Sequence, residues 1–234
     1  DWAKRRAVLF LERPHWETRV WLDDRLVSTN NSLCAPHEHD LGVVTPGRHR
    51  LTIRVDNRML MNYRPDAHAV SDSLGSTWNG ITGRIELRAF DPVCIERLVL
   101  RPDLERKGVE ATLITRNDTG KAVAAPLVML QVVPKNFGGN ALNPLQQSAT
   151  IEPGEGELKF FFPMGDGFER WSEFNTKFYS LRATIGGKGF HSEIADVFGM
   201  REFKAVGQDF TINGRPTHLR GTHHGGDFPL TGYP

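Results

Sequence analysis

Apolar residues in this chain recur at every second position rather than every third or fourth. His49-Arg50-Leu51-Thr52-Ile53-Arg54-Val55-Asp56 alternates polar and apolar with one clean inward face, the mark of a half-buried strand. Pro46-Gly47 sets its start, because proline fixes φ and glycine accepts a positive one. Arg19-Val20-Trp21-Leu22 reads as another strand, and Asp23-Asp24 forms the turn that leaves it. The same pattern predicts strands over residues 7–11, 83–89, 95–101, 108–117, 127–133, 156–162, 179–185 and 189–198. Gly, Pro, Asn and Asp cluster between them. No window longer than about twelve residues carries a helical stripe with caps at both ends. The expected fold class is all-β, built of many short strands as β-sandwiches are.

The alternation breaks near Phe90-Asp91-Pro92 and starts afresh at Cys94-Ile95-Glu96-Arg97-Leu98. The expected domains are therefore 1–91, 92–200 and 201–234. The middle span is close to the ~100 residues of an immunoglobulin-like sandwich. The first is short for an eight-stranded jelly roll, and missing strands would leave open edges. In the last, Phe210-Thr211-Ile212-Asn213-Gly214-Arg215-Pro216 reads as strand, Asn-Gly turn, strand, and a Gly- and His-rich loop follows. A segment of that size cannot bury a core alone.

Charge and composition narrow the partners. Lys and Arg total 29 against 28 Asp and Glu, a net charge of +1, which argues against nucleic acid or an anionic membrane. An apolar content of 39% with 24% charge is that of an ordinary globular chain. No stretch reaches the roughly 18 apolar residues of a membrane span. Asp1-Trp2-Ala3-Lys4 runs straight into a strand pattern, so no signal peptide is read there. The chain opens without Met and closes on Pro234, as a segment of a longer polypeptide would, and its compartment stays open. Cys34 and Cys94 match no metal or redox spacing; they either pair or remain free thiols.

Four stretches, in order, resemble the family 2 glycoside hydrolases, the β-galactosidase and β-glucuronidase superfamily. The first runs from Trp16-Glu17-Thr18-Arg19-Val20-Trp21-Leu22-Asp23-Asp24 through Pro36-His37-Glu38-His39-Asp40-Leu41 to the strand ending Val55-Asp56-Asn57. It is similar to the later half of the family's N-terminal sugar-binding jelly roll. Trp78-Asn79-Gly80-Ile81-Thr82-Gly83-Arg84-Ile85-Glu86-Leu87 resembles the run that closes that domain. Trp171-Ser172-Glu173-Phe174-Asn175-Thr176-Lys177-Phe178-Tyr179-Ser180-Leu181, with Phe198-Gly199-Met200-Arg201-Glu202, resembles the end of the central immunoglobulin-like domain. The last, from Phe210 to Leu219-Arg220-Gly221, resembles the opening of the catalytic (β/α)₈ barrel. The resemblance implies a partial galactose-binding-like jelly roll, an immunoglobulin-like sandwich and a C-terminal stub of a TIM barrel.

Function follows from the same resemblance. The chain would supply non-catalytic accessory domains of an exo-acting, retaining β-glycosidase of β-galactosidase type, with a carbohydrate as substrate. Retaining enzymes use two carboxyl groups about 5 Å apart. In the family these are glutamates on later barrel strands, so no catalytic residue is expected in this chain. Asp23-Asp24, Glu202, Asp209 and Asp227 are the acidic candidates, with turn formation and pairing to an Arg such as Arg201 as the ordinary accounts of Asp23-Asp24 and Glu202. His37 and His39, two apart on a strand, share a face and could chelate an ion, but no third ligand is evident. No metal and no cofactor is expected. His223, His224 and Asp227 lie in the loop after the first barrel strand, where barrel enzymes build their sites. The family's R-G-x-N-x-H pattern is met at Arg220-Gly221 only; His223 stands at the Asn position and Gly225 at the His position. Trp78, beside the loop 71–77, is the other substrate-facing candidate, with sandwich core as its alternative. Trp16, Trp21 and Trp171 read as core and interface residues. The family often forms dimers or tetramers, so a homo-oligomeric parent is a further implication, and a periplasmic or secreted parent is compatible with it. The competing readings are a lectin-like module and an assembly sandwich without sugar affinity.

Overall fold

Ten residues of unbroken strand, β1 (Arg6–His15), organise the first half of the molecule. A computed structural model of the chain describes residues 2–60 and 78–222. β1 is central in a three-stranded sheet, between β4 (His37–Val43) and β6 (Gly80–Phe90), and antiparallel to both. The second sheet has β2 (Glu17–Leu22) between β3 (Arg25–Asn30) and β5 (Leu51–Asp56). Alternation directs Ala7, Leu9 and Leu11 inward, where they pack with Val20 and Leu41. Leu22, Val27, Leu51 and Ile53 border this core and are only half-buried. On the other face of β1, Phe10 is covered by the guanidinium of Arg88, 3.6 Å from its ring centroid.

The second unit, Asp91–Arg220, holds seven strands in two facing sheets and a short third sheet. β7 (Val93–Asp103), β8 (Gly108–Asn117) and β11 (Gly154–Pro163) form one in the order β11-β8-β7. β9 (Val123–Pro134), β10 (Leu145–Ile151), β12 (Tyr179–Gly187) and β13 (Phe190–Phe198) form the other, ordered β10-β9-β12-β13. Val109, Ala111 and Leu113 of β8 meet Val132, Leu181, Ala183 and Ile185 of β9 and β12, all with no measurable exposure. Seven strands split in this way make an immunoglobulin-like sandwich. At the start of β12 the Tyr179 hydroxyl accepts the Glu169 N–H at 2.7 Å, a corner that pins the preceding loop to the strand.

The third sheet is a meander of β14 (Phe203–Val206), β15 (Asp209–Ile212) and β16 (Arg215–Thr217). The Asn213-Gly214 turn between β15 and β16 has φ of 54° and 77°, the two left-handed residues a type I′ hairpin requires.

The fold class is all-β, as the two-residue period predicts, and the described residues include no helix. Three short strands were beyond the alternation. β3, β10 and β14 lie at sheet edges, and of their side chains only Ile151 is buried, so no face need be apolar and the period is lost.

Candidate functional site

The end of β1 and the start of β6 bring together the aromatic candidate of the first sandwich. His15 pairs with Gly80 in the ladder, and the Trp78 ring lies 5.0 Å from the His15 ring at 53°. The Trp78 indole N–H donates to the Arg13 carbonyl oxygen at 3.1 Å. Trp16 is buried, and its indole N–H donates to the Asn31 carbonyl oxygen at 2.7 Å. Trp78 is half-buried, so it combines a structural hydrogen bond with a partly accessible ring. Beside it Asn57 donates to Asn79. Asp56 accepts from Arg58 and Arg54, each at 2.6 Å, and these two guanidinium groups hold its carboxyl far below the usual range. A permanently ionised, paired carboxylate can hydrogen-bond or orient a ligand but cannot carry a proton at neutral pH.

The other substrate-facing candidates, His223, His224 and Asp227, lie outside the described residues, as does the loop 71–77.

Among the remaining acidic candidates, Asp23 is a turn former. It has φ of 53°, accepts the Arg50 N–H at 2.9 Å and faces His49 Nδ1 at 2.9 Å. Backbone donation from Arg50 and the contact with His49 lower its pKa. Glu202 departs from its expected pairing. Its carboxylate meets Lys204 at 2.7 Å, while Arg201 lies 4.5 Å over the Trp171 ring. Asp209 is an exposed residue opening β15.

Trp171 and Arg201 wall a shallow hollow of about 220 Å³ with Phe178, Val197, Phe198 and Gly199. A Cβ at Gly199 would fall 2.7 Å from Trp171, so only glycine lets the indole lie against this strand end. The hollow is apolar apart from one guanidinium and offers no pair of groups for acid–base work.

His37 and His39 do share a face, and both have zero exposure. Their nitrogens are fully engaged. The Ser32 carbonyl lies 2.7 Å from His37 Nε2, Thr18 Oγ1 lies 2.6 Å from His37 Nδ1 and 2.9 Å from His39 Nε2, and Ser28 Oγ lies 2.7 Å from His39 Nδ1. Among the described residues no group of three or more His, Cys, Asp and Glu is placed to hold a metal ion. Sequence reasoning found the two histidines but not Thr18 and Ser28. The available signal was two imidazoles on the inward face of a strand, which must find hydrogen-bonding partners across the core.

No family model and no curated protein sequence matches the chain. Solved structures do. A glycosyl hydrolase family 2 member from Bacteroides cellulosilyticus superposes with a TM-score of 0.75 at 16% identity, over 93% of this chain and 27% of its own. A family 2 β-galacturonidase from Eisenbergiella tayi, bound to galacturonate, gives 0.71 at 22% identity, over 94% and 37%. A β-glucuronidase from Bacteroides uniformis gives 0.73 at 15% identity, over 94% and 27%. The chain thus shares their fold and spans 27–37% of their length.

Proposed function

We propose that this chain is the accessory part of a family 2 glycoside hydrolase, an exo-acting, retaining β-glycosidase of galactosidase or uronidase type. The observation that carries the reading is coverage. Solved family 2 structures match 93–94% of this chain while being roughly three times as long, with TM-scores of 0.71–0.75. The four motif runs of the sequence support it independently, since they fall in the family's order. On this reading residues 1–91 are a jelly-roll portion, 92–200 the immunoglobulin-like domain and 201–234 the start of the barrel.

The two carboxyl groups of a retaining mechanism then belong to barrel strands outside this chain, and the chain alone is inactive. Its contribution to the substrate pocket of the whole enzyme is His223, His224 and Asp227, at a barrel strand's C-terminal end, together with Trp78. Trp78 would act through its ring face, because its N–H is committed to Arg13. Hydrogen bonding by the histidines and aspartate suits sugar hydroxyls.

The test compares this chain with the product of its complete reading frame on nitrophenyl β-galactoside, β-glucuronide and β-galacturonide. Turnover by the complete protein alone is expected. Turnover by this chain, or none by the complete protein on any β-glycoside, overturns the reading. Tight glycan binding by the chain without hydrolysis in the complete protein would favour a lectin-like module instead.

A further inference from the structure

The hydrogen bonds around His37 and His39 have a direction. The Ser32 carbonyl can only accept, so His37 Nε2 bears the proton and, in the neutral ring, Nδ1 is bare. Thr18 must then donate its hydroxyl proton to His37 Nδ1, which leaves its oxygen to accept from His39 Nε2–H. His39 Nδ1 is bare in turn and accepts from the Ser28 hydroxyl. The result is one unbroken relay, Ser28 to His39 to Thr18 to His37 to Ser32, with both rings neutral. It crosses the sandwich, since the histidines sit on β4 of one sheet and Thr18 and Ser28 on β2 and β3 of the other.

A proton added to His37 gives Thr18 two N–H donors and strands its own hydrogen. A proton added to either ring places a charge in the core. No carboxylate is positioned to balance it among the described residues. Glu38 and Asp40 flank the histidines on β4 but point to the opposite face, held by Arg88 at 3.2 Å and Arg6 at 3.1 Å. On β1 the register partners are Leu11 and Leu9. On β2, Glu17 and Arg19 flank Thr18 on the outer face and pair with each other at 2.8 Å. On β3, Arg25 reaches the Leu41 carbonyl oxygen, and in the connecting loop Cys34 is exposed.

We propose that this relay is an acid-sensitive latch: it closes β4 onto β2 and β3 while both rings are neutral, and protonation of the rings in the opened state frees the strand as the medium acidifies. Burial lowers the affinity of both rings for a proton in the closed state, that of His39 to about 4. The sign follows. Above the ordinary histidine value the rings are neutral in both states and the latch is at full strength. Below it the open state takes up the proton first, so the closed state is lost progressively towards about 4.

Hydrogen exchange of the β4 amides, corrected for intrinsic chemistry, tests this on the whole chain. Between about pH 7 and pH 5 the opening constant should rise roughly twentyfold for His39 alone. In a His37→Phe/His39→Leu variant the rise should fall to under about threefold. An equal rise in both proteins, or none in the native chain, overturns the proposal. Should the variant not fold, the nitrogen-15 side-chain spectrum of the native chain decides. A His39 ring that is neutral near pH 5.5, with both rings carrying their proton at Nε2 near pH 7, supports the latch; a charged His39 at pH 5.5 or an Nδ1–H tautomer of either ring refutes it.

Discussion

The two sandwiches bury polar groups in opposite ways. In the first, the relay from Ser28 to Ser32 runs through the interior and joins the sheets through two buried imidazoles. In the second, the buried polar anchors are at strand ends, while Thr115 and Thr184 lie within β8 and β12. Asn117 closes β8 by donating to the Lys121 and Ile151 carbonyl oxygens, and Tyr179 pins the loop ahead of β12. The middle of that sandwich is left to Val109, Leu113, Leu130, Val132, Leu181 and Ile185. Both solutions pair the polar atoms named here, as burial demands, and the Thr184 hydroxyl of β12 is the exception in the second. One of them makes closure depend on pH, and the other does not.

The strongest test of that contrast is truncation of the apolar core. Leu181→Ala or Leu113→Ala removes a side chain with no exposure from a layer packed on both sides, and should cost about 3–4 kcal/mol. Leu9→Ala in the first sandwich should cost less, about 2–3 kcal/mol, because half-buried Leu51 and Ile53 border its core and can relax into the gap. Urea unfolding followed by exchange in peptides of each unit measures both. A Leu9 variant as damaged as the Leu181 variant would mean that the first core is as tightly packed as the second.

Acid should then separate the two regions in the reverse sense. Holding His39 neutral down to about 4, against an ordinary value of 6.5, is worth about 3 kcal/mol, and this is lost from the first sandwich between those limits. The second unit has no buried histidine among its described residues, since His191 of its sandwich and His218 after β16 are both exposed. Peptides of β4 should lose protection on acidification well before those of β12. The same acid profile in both would remove the distinction.

This contrast also marks how far the sequence could be read. Long strands facing a core, such as β8 and β12, show their alternation, because apolar residues such as Val109, Ala111 and Leu113 or Leu181, Ala183 and Ile185 recur on one face. The Asn213-Gly214 turn is equally plain, since its backbone admits few other residues. β10, with Gln146, Gln147 and Ser148 in succession at a sheet edge, carries no such constraint and escapes. The histidine pair was visible as a spacing, yet its meaning depended on Thr18 and Ser28, which only folding brings across the core. The stacking of Arg201 on Trp171 was likewise a tertiary fact, decided by Gly199 leaving room for the indole. Of the substrate-facing candidates, only Trp78 falls within the described residues.

Smaller effects are expected where the second sandwich uses its polar anchors. Asn117→Ala strands the buried Ile151 carbonyl and releases the exposed Thr119 donors to water, and should cost about 2 kcal/mol. Tyr179→Phe deprives only the Glu169 N–H of its acceptor and should cost about 1 kcal/mol. Both losses should be equal at neutral and mildly acidic pH, since neither involves a histidine. A pH-dependent loss in either variant would break the comparison.

The smallest effect is expected within the first sandwich, and it has the opposite sign to the latch. His49 lies between the Asp23 carboxylate at 2.9 Å and the Thr45 carbonyl oxygen at 2.8 Å, so both ring nitrogens face acceptors and the ring is best protonated. The Asp23 contact, and then the Thr45 carbonyl, raise its pKa. This clip is therefore intact below the ordinary histidine value and is lost as pH rises through the raised one, whereas the relay weakens as pH falls. The first sandwich should accordingly be best closed near the ordinary histidine value, with a gentle decline on the alkaline side and a steep one on the acid side. Proton NMR titration of His49 in the native chain and in Asp23→Asn measures the clip directly. The variant should titrate at lower pH than the native ring, and an unchanged midpoint would show that Asp23 does not hold the imidazole in its charged form.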